Sequence, residues 1–76
     1  MSDLGKKIRE IRKSKKITLV ELAKMTGVAQ ASLSRIETGI MTGTVESHKK
    51  IAEALGISIA ELYAGLDTHI ADIATA

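Results

Sequence analysis

The sequence predicts an all-α fold, five short helices organised around a helix-turn-helix. Three observations predict it. Apolar residues recur at three- and four-residue spacing in short runs. Gly27, Gly39 and Gly56 close three of those runs. Two runs open on a Ser/Thr-x-x-Glu capping signature, Thr18 with Glu21 and Ser58 with Glu61.

The stretch at 18–39 is the centre of the chain. Thr18 caps the first of its two helices, and Ile17 and Leu22 stand where a hydrophobic staple clamps the entry. The apolar face runs Leu22, Ala23 and then Met25 or Thr26, and stops at Gly27. Gly27 accepts a positive φ, so it ends the helix and swings the chain round. The next helix restarts with Leu33 and Ile36 on its inner side, and Gly39 closes it. Ala23 is small enough to let the two helices cross closely at a steep angle.

The other elements follow in order. Asp3 caps a first helix reaching about Ser14, with Leu4, Ile8 and Ile11 on one face. Gly5 weakens its first turn by about 0.5–1 kcal/mol relative to alanine. The helix ends at Lys15-Lys16, where a lysine either turns left-handed or the helix closes in another way. The second helix covers about 19–25 and the third about 30–38. With Leu33 and Ile36 inward, Gln30, Ala31, Ser34 and Arg35 point outward and Ser32 sits at the flank. The loop Ile40-Met41-Thr42-Gly43 is uncharged, and its two large apolar residues are expected to fill the core or meet another subunit. The fourth helix, about 44–55, carries Val45, His48, Ile51, Ala52 and Leu55 along one stripe. His48 reads as a packing residue, since no second His, Cys or carboxylate stands at chelating spacing. A fifth helix opens at Ser58, with Ile57 and Leu62 as its staple. The domain is therefore set at 1–65, with a tail at 66–76 in which Leu66, Ile70 and Ile73 keep helical spacing. Ile57, Leu62, Leu66, Ile70 and Ile73 form the expected dimer contact; a frayed tail or a stub to a further domain is the other reading.

Composition narrows the function. A chain of 76 residues makes one domain, and at this size folding buries only about 60% of the unfolded surface. There is no cysteine for a disulfide or thiolate metal site, and Tyr63 is the one aromatic, too few for stacking single-stranded bases. No run approaches the ~20 apolar residues of a membrane span and no signal-peptide core opens the chain, so a cytoplasmic protein is expected. No catalytic set, cofactor motif or metal site is apparent, which argues against an enzyme. Charge is unevenly spread. Residues 1–50 hold all eleven basic groups against five acids, a net +6, and residues 51–76 hold four acids and no base, a net −4. One end attracts polyanions and the other repels them.

Five pieces carry a family resemblance: Ile8-Arg9-x-Ile11-Arg12, Thr18-x-x-Glu21-Leu22-Ala23, Gly27-Val28, Ser34-Arg35-Ile36-Glu37-x-Gly39 and Ile51-Ala52-x-Ala54-Leu55-Gly56-Ile57. Residues 4–62 thereby resemble the DNA-binding domain of Cro and cI-type repressors, a five-helix, lambda-repressor-like bundle. The resemblance implies double-stranded DNA as partner, a homodimer on a palindromic operator, and the third helix in the major groove. It implies an Arg12–Glu37 ion pair tying the first helix to the third. Gln30, Ala31, Ser34 and Arg35 match the base-reading positions, and their chemistry suits adenine, a thymine methyl and guanine. Phosphate contacts are expected from Lys7, Lys13, Lys16, the backbone at Leu19, Ser32, Thr42 and Thr44. The chain departs from the family at Leu19, where a phosphate-holding glutamine is common, at Ala29, where a Ser or Thr cap is usual, and in its uncharged loop. Leu19, the uncharged loop and the apolar tail keep a second reading open: a protein adaptor of the same fold, such as an antitoxin or bridging factor.

Overall fold

The computed structural model describes residues 3–66. Five helices follow one another: α1 (Asp3–Ser14), α2 (Leu19–Thr26), α3 (Gln30–Thr38), α4 (Val45–Ala54) and α5 (Ile59–Tyr63). α1 packs on α3 and α5, α2 packs on α3 and α4, and α4 packs on α5. Leu4, Ile8, Leu22, Leu33, Ile36, Ile51, Ala52, Leu55 and Leu62 meet in one buried core, so every helix contributes its apolar stripe.

The local signals act as the sequence predicts at most helix ends. Thr18 and Glu21 form a reciprocal capping box, the Glu21 amide donating to the Thr18 hydroxyl at 3.1 Å and the Thr18 amide donating to the carboxylate at 3.0 Å. At α5 the Ser58 hydroxyl accepts from the Glu61 amide at 3.0 Å. At α4 the Thr44 hydroxyl accepts from the Ser47 amide at 3.1 Å. α3 starts at Ala29 with no side-chain cap. The junction after α1 resolves in favour of the left-handed option, with Lys16 at φ 57°, a conformation costly for a side chain with a Cβ.

Several expectations are corrected. Gly5 is no mere weak point in α1, because its backbone lies against the end of α3. A Cβ there would stand 2.2 Å from the Ile36 carbonyl oxygen and 2.7 Å from that of Glu37. Of the two residues the sequence left open on α2, Thr26 is the one that faces inward; Met25 is 54% exposed. Val45 leaves the predicted α4 stripe and is exposed, as the first helical residue after the Thr44 cap. Ile40 and Met41 do not fill the core; they are 77% and 38% exposed. Leu62 cannot serve a dimer contact, because its side chain is wholly buried in the centre of the bundle. Ile57 and Leu66 pack part-buried against that core, and Ile70 and Ile73 lie outside the described residues.

Candidate nucleic-acid interface

The corner between α2 and α3 is built from three residues. Gly27 adopts the left-handed conformation at φ 74°, and its amide donates to the Ala23 carbonyl at 2.9 Å. Thr26 then fastens the turn from inside. Its hydroxyl donates to the Leu22 carbonyl at 2.8 Å and accepts from the Val28 amide at 3.1 Å. A threonine beside a glycine carries a local signal for this, since its hydroxyl reaches both the preceding turn and the amide two residues on.

α3 leaves that corner with Leu33, Ile36 and Glu37 buried beneath it. Nine residues of helix then present Gln30, Ala31 and Arg35 to solvent, with Ser32 and Ser34 half-buried at the edges. No hydrogen bond within the described residues engages the side chains of Gln30, Ser32, Ser34 or Arg35, so their donors and acceptors face outward. The predicted base-reading set thus occupies one continuous face about two turns long.

What holds α3 from behind is the Arg12–Glu37 pair. Arg12 Nε donates to Glu37 Oε2 at 2.7 Å and Nη2 donates to Oε1 at 3.0 Å, a fork-to-fork contact. Arg12 Nη1 also donates to the Ile17 carbonyl at 2.8 Å. Arg12 and Glu37 are only 8% and 4% exposed. The hydrogen bond it donates to the Glu37 carboxylate raises the Arg12 pKa beyond its ordinary value despite burial, so the guanidinium stays charged. One side chain therefore joins α1, the entry to α2 and the back of α3. At the α2 entry, hydrogen bonds from the Thr18 backbone and side chain hold the Glu21 carboxyl below its usual range.

The predicted phosphate contacts separate into three groups. Lys13 and Lys16 are exposed at the end of α1, on the approach to α2. The Leu19 side chain packs toward the core, which leaves only its first-turn amide, one of the donors without an intrahelical partner. Lys7 is used elsewhere: its ammonium donates to the Glu61 carbonyl at 2.6 Å and to that of Ala64. The Glu61 carbonyl accepts one long backbone bond, from the Ala64 amide at 3.3 Å, and the carbonyls at the end of α5 carry the negative end of its dipole, so they attract a cation. The Thr44 hydroxyl is likewise engaged in its own helix, donating to Ser47 Oγ at 3.0 Å besides capping.

Sequence reasoning missed the polar role of His48. Its ring is buried, with Nε2 2.7 Å from the Thr42 carbonyl and Nδ1 2.7 Å from the Tyr63 hydroxyl. Among the described residues there is no group of three His, Cys, Asp or Glu that could hold a metal ion, and no helix is long and apolar enough to cross a membrane.

Comparison with known proteins agrees with this geometry. A family described as Helix-turn-helix matches residues 8–62. The HTH-type transcriptional repressor RghR of Bacillus subtilis is 41% identical over 59 residues, covering 75% of this chain and 43% of that protein. The chain spans about half the length of the curated relatives it matches. SinR, the master regulator for biofilm formation, solved in complex with DNA, superposes with a TM-score of 0.73 at 35% identity, over 78% of this chain and 95% of that one. The complex of SinR with the SinI protein gives a TM-score of 0.76 at 30% identity, covering 95% of this chain and 75% of that one. The family match begins inside α1 and ends inside α5, so it reaches into all five helices: the chain belongs to the Cro/cI-type family of helix-turn-helix transcriptional regulators.

Proposed function

We propose that this chain binds double-stranded DNA sequence-specifically and represses transcription as a dimer on a palindromic operator. The observation that carries the reading is the outward face of α3. Gln30, Ala31, Ser34 and Arg35 are offered together on a helix locked from behind by Leu33, Ile36 and the Arg12–Glu37 pair. Such a helix fits the major groove, where glutamine meets adenine and arginine meets guanine in bidentate pairs. Lys13 and Lys16 supply phosphate attraction beside it, so affinity falls steeply with salt. A two-fold pair of such domains reads half-sites about 34 Å apart.

Selection of bound fragments from a random DNA pool tests this directly. A palindromic consensus is expected. On it, Gln30→Ala relaxes discrimination at one base step by about 1–3 kcal/mol, and Lys13→Ala weakens all sequences alike. Equal losses on consensus and random DNA after Gln30→Ala overturn the base-reading role. A second reading, a protein-binding adaptor of the same fold, is favoured by one feature: Ile40 and Met41 on the segment joining α3 to α4, and Val45 at the start of α4, are exposed. An electrophoretic shift against competitor DNA, beside a sizing run of the protein alone, separates the two.

A further inference from the structure

The segment between α3 and α4 carries no charge, yet it is tied down at both ends. At its start the Ile40 and Met41 amides both donate to the Arg35 carbonyl, at 2.9 and 3.2 Å. At its end stands His48. A carbonyl oxygen only accepts, so the 2.7 Å contact between Nε2 and the Thr42 carbonyl requires a hydrogen on Nε2. In the neutral ring Nδ1 is then the acceptor, and the Tyr63 hydroxyl donates to it across 2.7 Å. The rings meet edge to face, with centroids 5.7 Å apart. A directed chain results, from Tyr63 on α5 through His48 on α4 to the backbone of the loop. Gly43 completes the seat. A Cβ there would lie 2.9 Å from Ile36 Cδ1 and 3.4 Å from His48 Nε2, so the loop backbone runs close against Ile36 and the edge of the imidazole.

We propose that His48 is a positioning residue for DNA binding: through Thr42 it holds the α3–α4 loop as a fixed edge beside the recognition helix. The inference rests on the DNA reading above. A basic loop is drawn onto phosphates by Coulomb attraction that acts over several ångströms and tolerates loose geometry. An uncharged loop has only backbone amides, the Thr42 side chain and apolar contact, all of which vanish within an ångström or so of misplacement. Its contribution therefore depends on being ordered before DNA arrives, since a mobile loop must be ordered on binding. His48 and Tyr63 supply that order from within the fold.

Nitrogen NMR of the unmodified protein tests the clamp without any variant. His48 is expected in one neutral tautomer, protonated at Nε2 and bare at Nδ1; the opposite tautomer, or a rapidly exchanging mixture, overturns the proposal. Binding to the selected operator tests the consequence. His48→Leu keeps the apolar packing and removes both bonds. It is expected to weaken operator and random DNA alike, by up to roughly tenfold, with amide protection lost at residues 40–44 and retained in α3. His48→Gln, whose amide can donate to Thr42 and accept from Tyr63, is expected to restore most of the affinity. Tyr63→Phe removes one hydroxyl, keeps the fold, and is expected to move affinity and loop protection in the same direction by less. Wild-type affinity in both His48→Leu and Tyr63→Phe overturns the proposal. Absence of operator binding in the unmodified protein instead refutes the DNA reading, while the tautomer still reports on the clamp.

Discussion

Gly5→Ala gives a sharp test because local and tertiary reasoning predict opposite signs. Alanine in a helix is worth about 0.5–1 kcal/mol over glycine, so α1 taken alone predicts a more stable protein. In the bundle the new methyl would sit 2.2 Å from the Ile36 carbonyl oxygen and 2.9 Å from the Glu37 carbonyl carbon. These are backbone atoms of α3 and cannot turn aside, so α1 and α3 must separate by about 1 Å to restore ordinary contact. That separation strains the Leu4 and Ile8 packing and stretches the 2.7 and 3.0 Å bonds between Arg12 and Glu37. Overpacking of this kind costs about 1–3 kcal/mol, and the loss at the ion pair adds to it. With the ion-pair loss taken as about equal to the helix gain, the net expectation is destabilisation by about 1–3 kcal/mol. For a domain of this size each kcal/mol lowers the melting temperature by roughly 4–8 °C, which thermal circular dichroism resolves easily. A Gly5→Ala protein that melts at or above the wild-type temperature refutes the close α1–α3 contact.

Lys16→Gly is expected to stabilise by about 1 kcal/mol in a urea melt, because it relieves the left-handed strain at φ 57°. Glu37→Ala strands a buried guanidinium and is expected to cost about 3–5 kcal/mol, whereas Arg12→Met with Glu37→Leu should recover most of that loss. A double-mutant cycle with additive losses contradicts the pairing. Burial raises the Tyr63 pKa above its ordinary value of about 10. The stabilisation tied to its neutral hydroxyl is thus fully present below about pH 10 and lost as pH climbs through the folded value; alkaline melts should fall, and Tyr63→Phe should flatten that fall. The opposite sign holds for Glu21, whose depressed pKa gives stability above the usual carboxylate range that disappears as pH drops through the folded value.

The outward face of α3 was readable without coordinates. Leu33 and Ile36 sit three apart between two glycine-marked ends, and helical geometry then assigns Gln30, Ala31, Ser34 and Arg35 to the opposite side. Lys7 was not readable in this way. Its neighbours in the chain make it one more lysine of a basic face, and only the arrival of α5, 54 and 57 residues later, turns it into a cap for the Glu61 and Ala64 carbonyls. Leu62 shows the same divide: its apolar character was plain, and the choice between core and subunit contact was not.

By itself the sequence determined where helices begin and end and which face of each is apolar. Those properties come from contacts within about four residues, Thr18 with Glu21 or Gly27 with Ala23, so neighbouring residues are enough to encode them. The tertiary structure alone decided which polar groups meet across the bundle and which apolar ones stay outside. Gly5 against α3, His48 between Tyr63 and Thr42, and the exposure of Ile40 and Met41 all depend on how five short helices cross. Crossing geometry is the summed result of the whole core, and no local run of residues contains it.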